Sequence, residues 1–172
     1  VAGAERFAWG VWTAPRVLGA SVGREDAPRD ARDTRRGSIP FADYMDWREQ
    51  RDVFEQVALF NPIDVDISGG QTPERVAGMQ VTTEYFPTLQ VQPLLGRTLM
   101  PSDHDPNATR VAVISDGLWQ RQFGGRPALG LSVRLNGKAY QVVGVMPPGF
   151  VFPEQVDLWI PLTVPMTWAS FE

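Results

Sequence analysis

The stretch Val111–Gly125, VAVISDGLWQRQFGG, places the hydroxyl of Ser115 and the carboxylate of Asp116 directly after a run of apolar residues. A serine at the end of a strand is the position of the nucleophile in many hydrolases, where a nearby base removes the hydroxyl proton. No Gly-x-Ser-x-Gly pattern surrounds this serine, and the only histidine of the chain is His104. The sequence allows a Ser115–His104 pair but favours a structural role for the serine.

The structural role is that of a helix cap. Ser115, or the carboxylate that follows it, can accept hydrogen bonds from the free N–H groups at the start of a helix. Trp119 and Phe123 are four residues apart, as on one helical face, and Gly124 with Gly125 provides a left-handed stop. The segment SDGLWQRQFGG therefore predicts a short helix after a buried strand.

The segment Ser102–Pro106 places His104 between Asp103 and Asp105. Imidazole and carboxylate groups both bind divalent metals. Neighbouring residues of one loop seldom converge on a single ion, however, and the chain has no second histidine. We therefore expect turn-forming aspartates around an exposed histidine, with no metal and no cofactor. No glycine-rich nucleotide motif is present either.

Asp64 and Asp66 share one side of an alternating segment, which raises the possibility of a carboxylate pair for acid–base catalysis. The alternation explains them without chemistry, because Ile63, Val65 and Ile67 occupy the opposite side. The simpler interpretation is the solvent-facing side of a half-buried strand. We expect no catalytic residues here.

Composition sets broad limits on function. The chain has 172 residues, 43% of them hydrophobic, and a net charge of −4, which suits a folded domain and gives no reason to expect nucleic-acid binding. It contains no cysteine, which excludes a thiol nucleophile and a disulfide framework. No apolar run is long enough to span a bilayer. The chain begins at Val1 without a signal-peptide pattern, so we expect a piece of a longer protein.

Strand and helix patterns are mixed along the chain, which predicts an α+β fold. Ser38 can cap a helix with an aromatic stripe, TEYFPTLQ forms a helical turn, and residues 7–22 contain strand. Asn136–Gly137 predicts a type I′ hairpin turn. Further strands are expected in PIDVDISGG, ERVAGMQVT, RVAVI and VDLWIPL, and a mobile charged loop in Gly23–Gly37.

The segment Val145–Pro153, VMPPGFVFP, is stiff and apolar. It is either a loop packed over the core or an exposed aromatic contact surface, and the first is favoured.

Several segments, in their order and spacing, resemble the extracytoplasmic core domain of MacB-like, FtsX-type ABC transporter permeases with a duplicated permease unit. The resemblance covers about Ile39 to Leu162, and its segments are FADYMDWREQRDVFEQVALF, ERVAGMQVTTEYFPTLQVQPLLGRTLMPSD, VAVISDGLWQRQFGG, LGLSVRLNGKAYQVVGVMPPGFVFP and DLWIPL. The family's core usually continues beyond the last of these.

The resemblance implies a mixed sheet with short helices, divided into a porter-like lobe at about 1–82 and a β-rich lobe with a return strand at about 83–172. It also implies a periplasmic domain without catalytic residues, coupled through the permease helices to a cytoplasmic ATPase. A periplasmic partner protein or a second permease copy can contact it. The alternative is a secreted ligand-binding or adhesion module with an aromatic surface, and a Ser115–His104 hydrolase comes third.

Overall fold

The structure is a computed structural model that describes residues 17–21, 56–152 and 155–162. For residues 17–21 and 56–57 it describes the backbone alone. The strands of this part are β1 (Val17–Ser21), β2 (Gln56–Ser68), β3 (Glu74–Val81), β4 (Leu95–Gly96), β5 (Val111–Ile114), β6 (Ser132–Leu135), β7 (Lys138–Val145) and β8 (Leu158–Pro161). Its helices are α1 (Tyr85–Thr88) and α2 (Asp116–Phe123), with a 3-10 turn at Pro101–His104. The α+β prediction is confirmed.

Six of the strands close into a ring. Neighbouring strands pair in the order β2, β3, β8, β5 and β7, and β6 then pairs with both β7 and β2. Parallel and antiparallel pairs are mixed, since β8 is parallel to β3 and antiparallel to β5. Outside the ring, β1 pairs with β2 and β4 pairs with β7. The result is a small barrel with extensions on two sides.

Side-chain alternation divides the apolar residues into two clusters. The first cluster contains residues of all six ring strands, together with Leu118 and Phe123 of α2, and therefore fills the ring. The second covers the outer side of β3, β5 and β8 and includes α1. Because β5 and β8 are covered on both sides, every one of their residues is buried. This explains why VAVI is apolar throughout instead of alternating.

The Asn136–Gly137 hairpin is confirmed. Asn136 has φ 49° and Gly137 has φ 79°, as a type I′ turn requires. The turn also helps to close the ring, because Asn136 Oδ1 accepts from Asp66 N–H at 2.9 Å and Asn136 N–H donates to the Asp66 carbonyl at 2.9 Å.

Pro62 lies within the 13-residue strand β2 although proline has no N–H to donate. Thr82, just after β3, donates its N–H to the Leu59 carbonyl at 3.0 Å, and its Oγ1 accepts from Leu59 N–H at 3.1 Å, so the N–H and C=O groups of odd-numbered residues of β2 point towards β3. Pro62 therefore faces the opposite edge, between the segments paired with β1 and β6. Its missing donor breaks no bond to β3, and it lies where no described strand pairs with this edge of β2.

Other sequence predictions have mixed outcomes. The strands in PIDVDISGG, ERVAGMQVT, RVAVI and VDLWIPL and the turn in TEYFPTLQ are confirmed. The charged loop Gly23–Gly37 and the helix after Ser38 lie outside the described residues, as do residues 7–16. The division near residue 82 stays a prediction. Neither described helix is long and apolar enough to cross a membrane.

Candidate functional site

Ser115 caps α2, as the sequence predicts. Its Oγ accepts a hydrogen bond from Leu118 N–H at 3.0 Å and donates one to Asp157 Oδ1 at 3.0 Å. At the other end of the helix, Gly124 closes it in the left-handed conformation, with φ 58°. The hydroxyl is thus engaged both as donor and as acceptor.

Asp157 extends this contact into a polar cluster on the ring surface. Arg121 Nη2 lies 3.0 Å from Asp157 Oδ2 and 3.1 Å from Glu74 Oε1. Hydrogen bonding to Glu74 raises the pKa of Arg121, and the same contact lowers the pKa of Glu74. The cluster ties α2 to β3 and to the residue before β8. The ion pairs of Arg121 therefore stabilise the packing of α2 against β3 and against the start of β8.

Replacing Ser115 by alanine removes the cap without leaving Asp157 unpaired, since Arg121 still binds that carboxylate. We expect the free energy of unfolding to fall by about 1 kcal/mol, as for other lost serine caps. Urea denaturation measures this loss. Ser115→Thr retains a hydroxyl and should lose less; an equal loss in both variants would contradict the capping role.

The two aspartates beside His104 bind other groups. Asp103 binds Arg97 at 2.7 and 3.0 Å and Met100 N–H at 2.7 Å, while Asp105 accepts from Asn107 N–H at 2.8 Å. The part of the chain that the structure describes contains no group of three or more side chains able to hold a metal ion.

The expected exposure of His104 is wrong. Its ring is half-buried, with Nδ1 3.2 Å from the Leu162 carbonyl oxygen, and the described residues provide no hydrogen-bond partner for its buried Nε2. The 3-10 turn at Pro101–His104 directs this side chain onto the end of β8.

The Arg97–Asp103 pair predicts a pH dependence of stability. Burial opposes ionisation of Asp103, but the bonds from Arg97 and Met100 N–H outweigh it and hold its pKa below the ordinary value. Since the unfolded carboxyl titrates near 3.9, this stabilisation is complete above about pH 4 and is lost as the pH falls through the lowered folded value.

Arg97→Met should therefore be less stable than the wild type at pH 7, and the difference should shrink below about pH 3. Denaturation midpoints measured between pH 2 and 7 test this expectation. Arg110→Met is the control, because no carboxylate of the described residues forms an ion pair with Arg110. A difference between wild type and Arg97→Met that stays constant with pH would contradict the assignment.

Ser115 and His104 lie at opposite ends of β8. Ser115 binds Asp157, just before the strand, whereas His104 contacts Leu162, just after it. A strand rises about 3.3 Å per residue, so these two anchors are about 16 Å apart. The structure does not bring together Ser115 and His104, the pair that the sequence allows but does not favour.

Asp64 and Asp66 project from the exposed side of β2, as the alternation predicts. Asp64 lies 3.6 Å from Arg75, and both side chains are largely exposed. The arrangement is a surface ion pair of small energetic value.

The VMPPGFVFP segment packs its rings onto the core. Phe150 lies 5.4 Å from Trp159 and 6.3 Å from Phe86 between ring centroids, and Tyr85 donates to the Phe152 carbonyl at 2.8 Å. Burial raises the pKa of the Tyr85 hydroxyl above its ordinary value. Among the described residues of this segment, 145–152, only Val151, 56% exposed, presents a large apolar side chain to solvent. The packed-loop interpretation holds for these rings.

The structure adds a feature that the sequence did not indicate. A cleft of about 420 Å³ opens beside the end of α2, between the β2–β3 turn and the segment leading to β6. Its lining includes Gly70, the buried amide of Gln122 and the exposed Arg126. These residues come from separate segments without a shared motif, so no sequence signal identifies them.

Comparisons with known proteins agree on the fold. The extracellular domain of the noncanonic ABC-type transporter YknZ from Gram-positive bacteria is 19% identical, with a TM-score of 0.59 over 75% of this chain and 65% of that one. The periplasmic region of MacB from Actinobacillus actinomycetemcomitans is 18% identical, with a TM-score of 0.61 over 79% and 61%. The chain thus spans less than two thirds of either domain. Among curated proteins, none matches.

The sequence model of a family described as the MacB-like periplasmic core domain matches residues 12–171, nearly the whole chain. The order of segments that suggested the resemblance lies within this range. The chain therefore belongs to the family of MacB-like periplasmic core domains, which are extracytoplasmic parts of ABC transporter permeases.

Proposed function

We propose that this domain is a non-catalytic part of an ABC transporter permease that couples ATP hydrolysis in the cytoplasm to the handling of substrate or partner proteins outside. The observation that carries the proposal is the family match over residues 12–171. In such a transporter the domain acts together with permease helices and an ATPase. A periplasmic partner or a second permease copy would bind its outer surface.

The way in which β8 is held supports a mechanical role. Asp157, before the strand, is bound by Ser115 and Arg121, and Leu162 N–H, after it, donates to the Val81 carbonyl at 2.9 Å. All four strand residues are buried. A strand fixed at both ends moves with the ring as one body, so force applied to it reaches the whole barrel without local unfolding.

The non-catalytic assignment rests on the chemistry around Ser115. Its hydroxyl is used for capping and for Asp157, and the sole histidine lies at the far end of β8. A serine without a base in reach is a poor nucleophile. The adhesion alternative is less favoured because Phe150 and Phe152 pack inward.

The test uses the full-length transporter with its ATPase subunit in lipid nanodiscs. This chain lacks cysteine, so once any cysteines in the rest of the transporter have been replaced, single cysteines at the exposed positions Asn107 and Lys138 can each carry a donor dye, with acceptor-labelled lipid headgroups. We expect energy transfer to change during ATP turnover and to stay constant with a hydrolysis-deficient ATPase. Identical transfer in both cases would refute coupling. A full gene with a cleaved signal and no membrane spans of about 20 residues would favour the adhesion alternative.

A further inference from the structure

The cleft beside α2 has a rigid floor. Gln122 is only 2% exposed, and its Nε2 donates to the Thr72 carbonyl at 2.9 Å while its Oε1 accepts from Thr72 N–H at 3.4 Å. A Cβ at Gly70 would lie 2.2 Å from Gln122 Oε1. The β2–β3 turn is thus pressed against the helix, and its glycines leave the entrance of the cleft free of side chains.

The cleft lining includes one cation, Arg126. Arg126 Nε donates to the Phe123 carbonyl at 3.2 Å, and the Arg126 carbonyl accepts from Trp119 Nε1 at 2.7 Å. Its backbone and inner nitrogen are therefore held. Within the described part of the chain no acceptor binds its terminal nitrogens, unlike those of Arg97 and Arg121, which bind carboxylates.

The same cleft has apolar lining residues. Pro127 and Leu131 line it, and the Leu131 side chain is 40% exposed. A guanidinium and a branched aliphatic side chain in one cleft can bind a ligand that carries both a carboxylate and an aliphatic group.

We propose that this cleft binds an extended segment of a partner polypeptide in which an acidic side chain stands next to a branched aliphatic residue. The carboxylate would bind Arg126 and the aliphatic group would contact Leu131. The cleft is open to solvent, which lets a continuous chain pass through it, and its volume lies within the usual range of ligand sites. This assignment rests on the proposed handling of partners outside the membrane and names the chemistry of one.

The test is an NMR titration of the ¹⁵N-labelled 172-residue chain with the peptide acetyl-Leu-Asp-Leu-amide. We expect saturable shifts at the Gly69, Gly70 and Ser132 amides, with a Kd on the order of millimolar. The isosteric acetyl-Leu-Asn-Leu-amide should bind roughly tenfold more weakly, because it cannot form the charged bond. No ATPase takes part, so failure here leaves the coupling proposal standing.

Variants sharpen the result. Arg126→Gln and Leu131→Ser should each weaken binding of the Asp peptide, while Arg134→Gln, at an exposed arginine outside the cleft lining, should not. If the Arg126 variant fails to fold, the Leu131 variant still tests whether the cleft binds the peptide. Equal binding of the Asp and Asn peptides, shifts away from the cleft, or no shift at about 10 mM peptide would overturn the proposal. Binding of acetyl-leucine without binding of the tripeptide would also overturn it, in favour of a chain-terminal carboxylate.

Discussion

Replacing Phe86 by alanine is expected to lower the free energy of unfolding by about 3–5 kcal/mol. The Phe86 side chain is 0% exposed and contacts three rings, with centroid distances of 5.2 Å to Tyr85, 5.7 Å to Trp159 and 6.3 Å to Phe150. Alanine would remove the ring from the centre of this cluster and leave a cavity. Phe150, in a loop without regular secondary structure, would lose one of its two ring contacts.

Guanidinium denaturation gives the comparison. Phe86→Leu keeps most of the side-chain volume and should cost less than about 1.5 kcal/mol. Leu94→Ala, at an exposed position, should change stability by less than about 0.5 kcal/mol. Similar losses in the two Phe86 variants would mean that the cluster is loosely packed and does not anchor the loop.

Local patterns predict most of the strands correctly, because the rules behind them act between residues close in sequence. Alternation in PIDVDISGG identifies the buried Val65 and Ile67 and the exposed Asp64 and Asp66. The Asn136–Gly137 pair predicts its turn, since few other residue pairs accept positive φ at both positions. The same holds for the cap at Ser115, whose acceptor role depends only on Leu118, three residues away.

Ring closure could not be predicted in this way. It depends on β6 reaching β2, and the bonds that accompany it join Asp66 to Asn136, which are 70 positions apart. The periodicity of a segment shows which of its side chains face the core, but it does not show which other strand lies beside it. The resemblance to a family gave the class of fold without this pairing.

The polar cluster shows the same limit at the scale of one site. Ser115 was predicted as a cap, yet its second partner, Asp157, is 42 positions away at the start of VDLWIPL, where no motif marks it as a partner of Ser115. Arg121 likewise donates a hydrogen bond to Glu74, which is 47 positions away in the sequence. The residues that define the cleft are scattered in the same manner. Tertiary contacts of this kind depend on the assembled ring, so single-sequence patterns do not contain them.

Replacing Gly144 by alanine is expected to cost about 1–3 kcal/mol or more, by overpacking the junction of β4 and β7. A Cβ at Gly144 would lie 2.1 Å from the carbonyl oxygen of Arg97, and one at Gly96 would lie 2.2 Å from the carbonyl oxygen of Val143. Two glycines thus allow the two backbones to approach. Since the obstructing atoms belong to the main chain, no side chain can rotate away, and β4 itself must retreat.

The retreat has a local signature that separates it from general destabilisation. Leu94 N–H donates to the Val145 carbonyl at 2.7 Å and Arg97 N–H to the Val143 carbonyl at 2.9 Å, and both amides should exchange with solvent faster in Gly144→Ala. Gly117→Ala in α2 is the matched control, because its Cβ would find the nearest atoms at 3.8 Å. That variant should gain about 0.5–1 kcal/mol from helix propensity. Unchanged exchange at Leu94 and Arg97, with wild-type stability, would show that β4 does not depend on the close approach at Gly144.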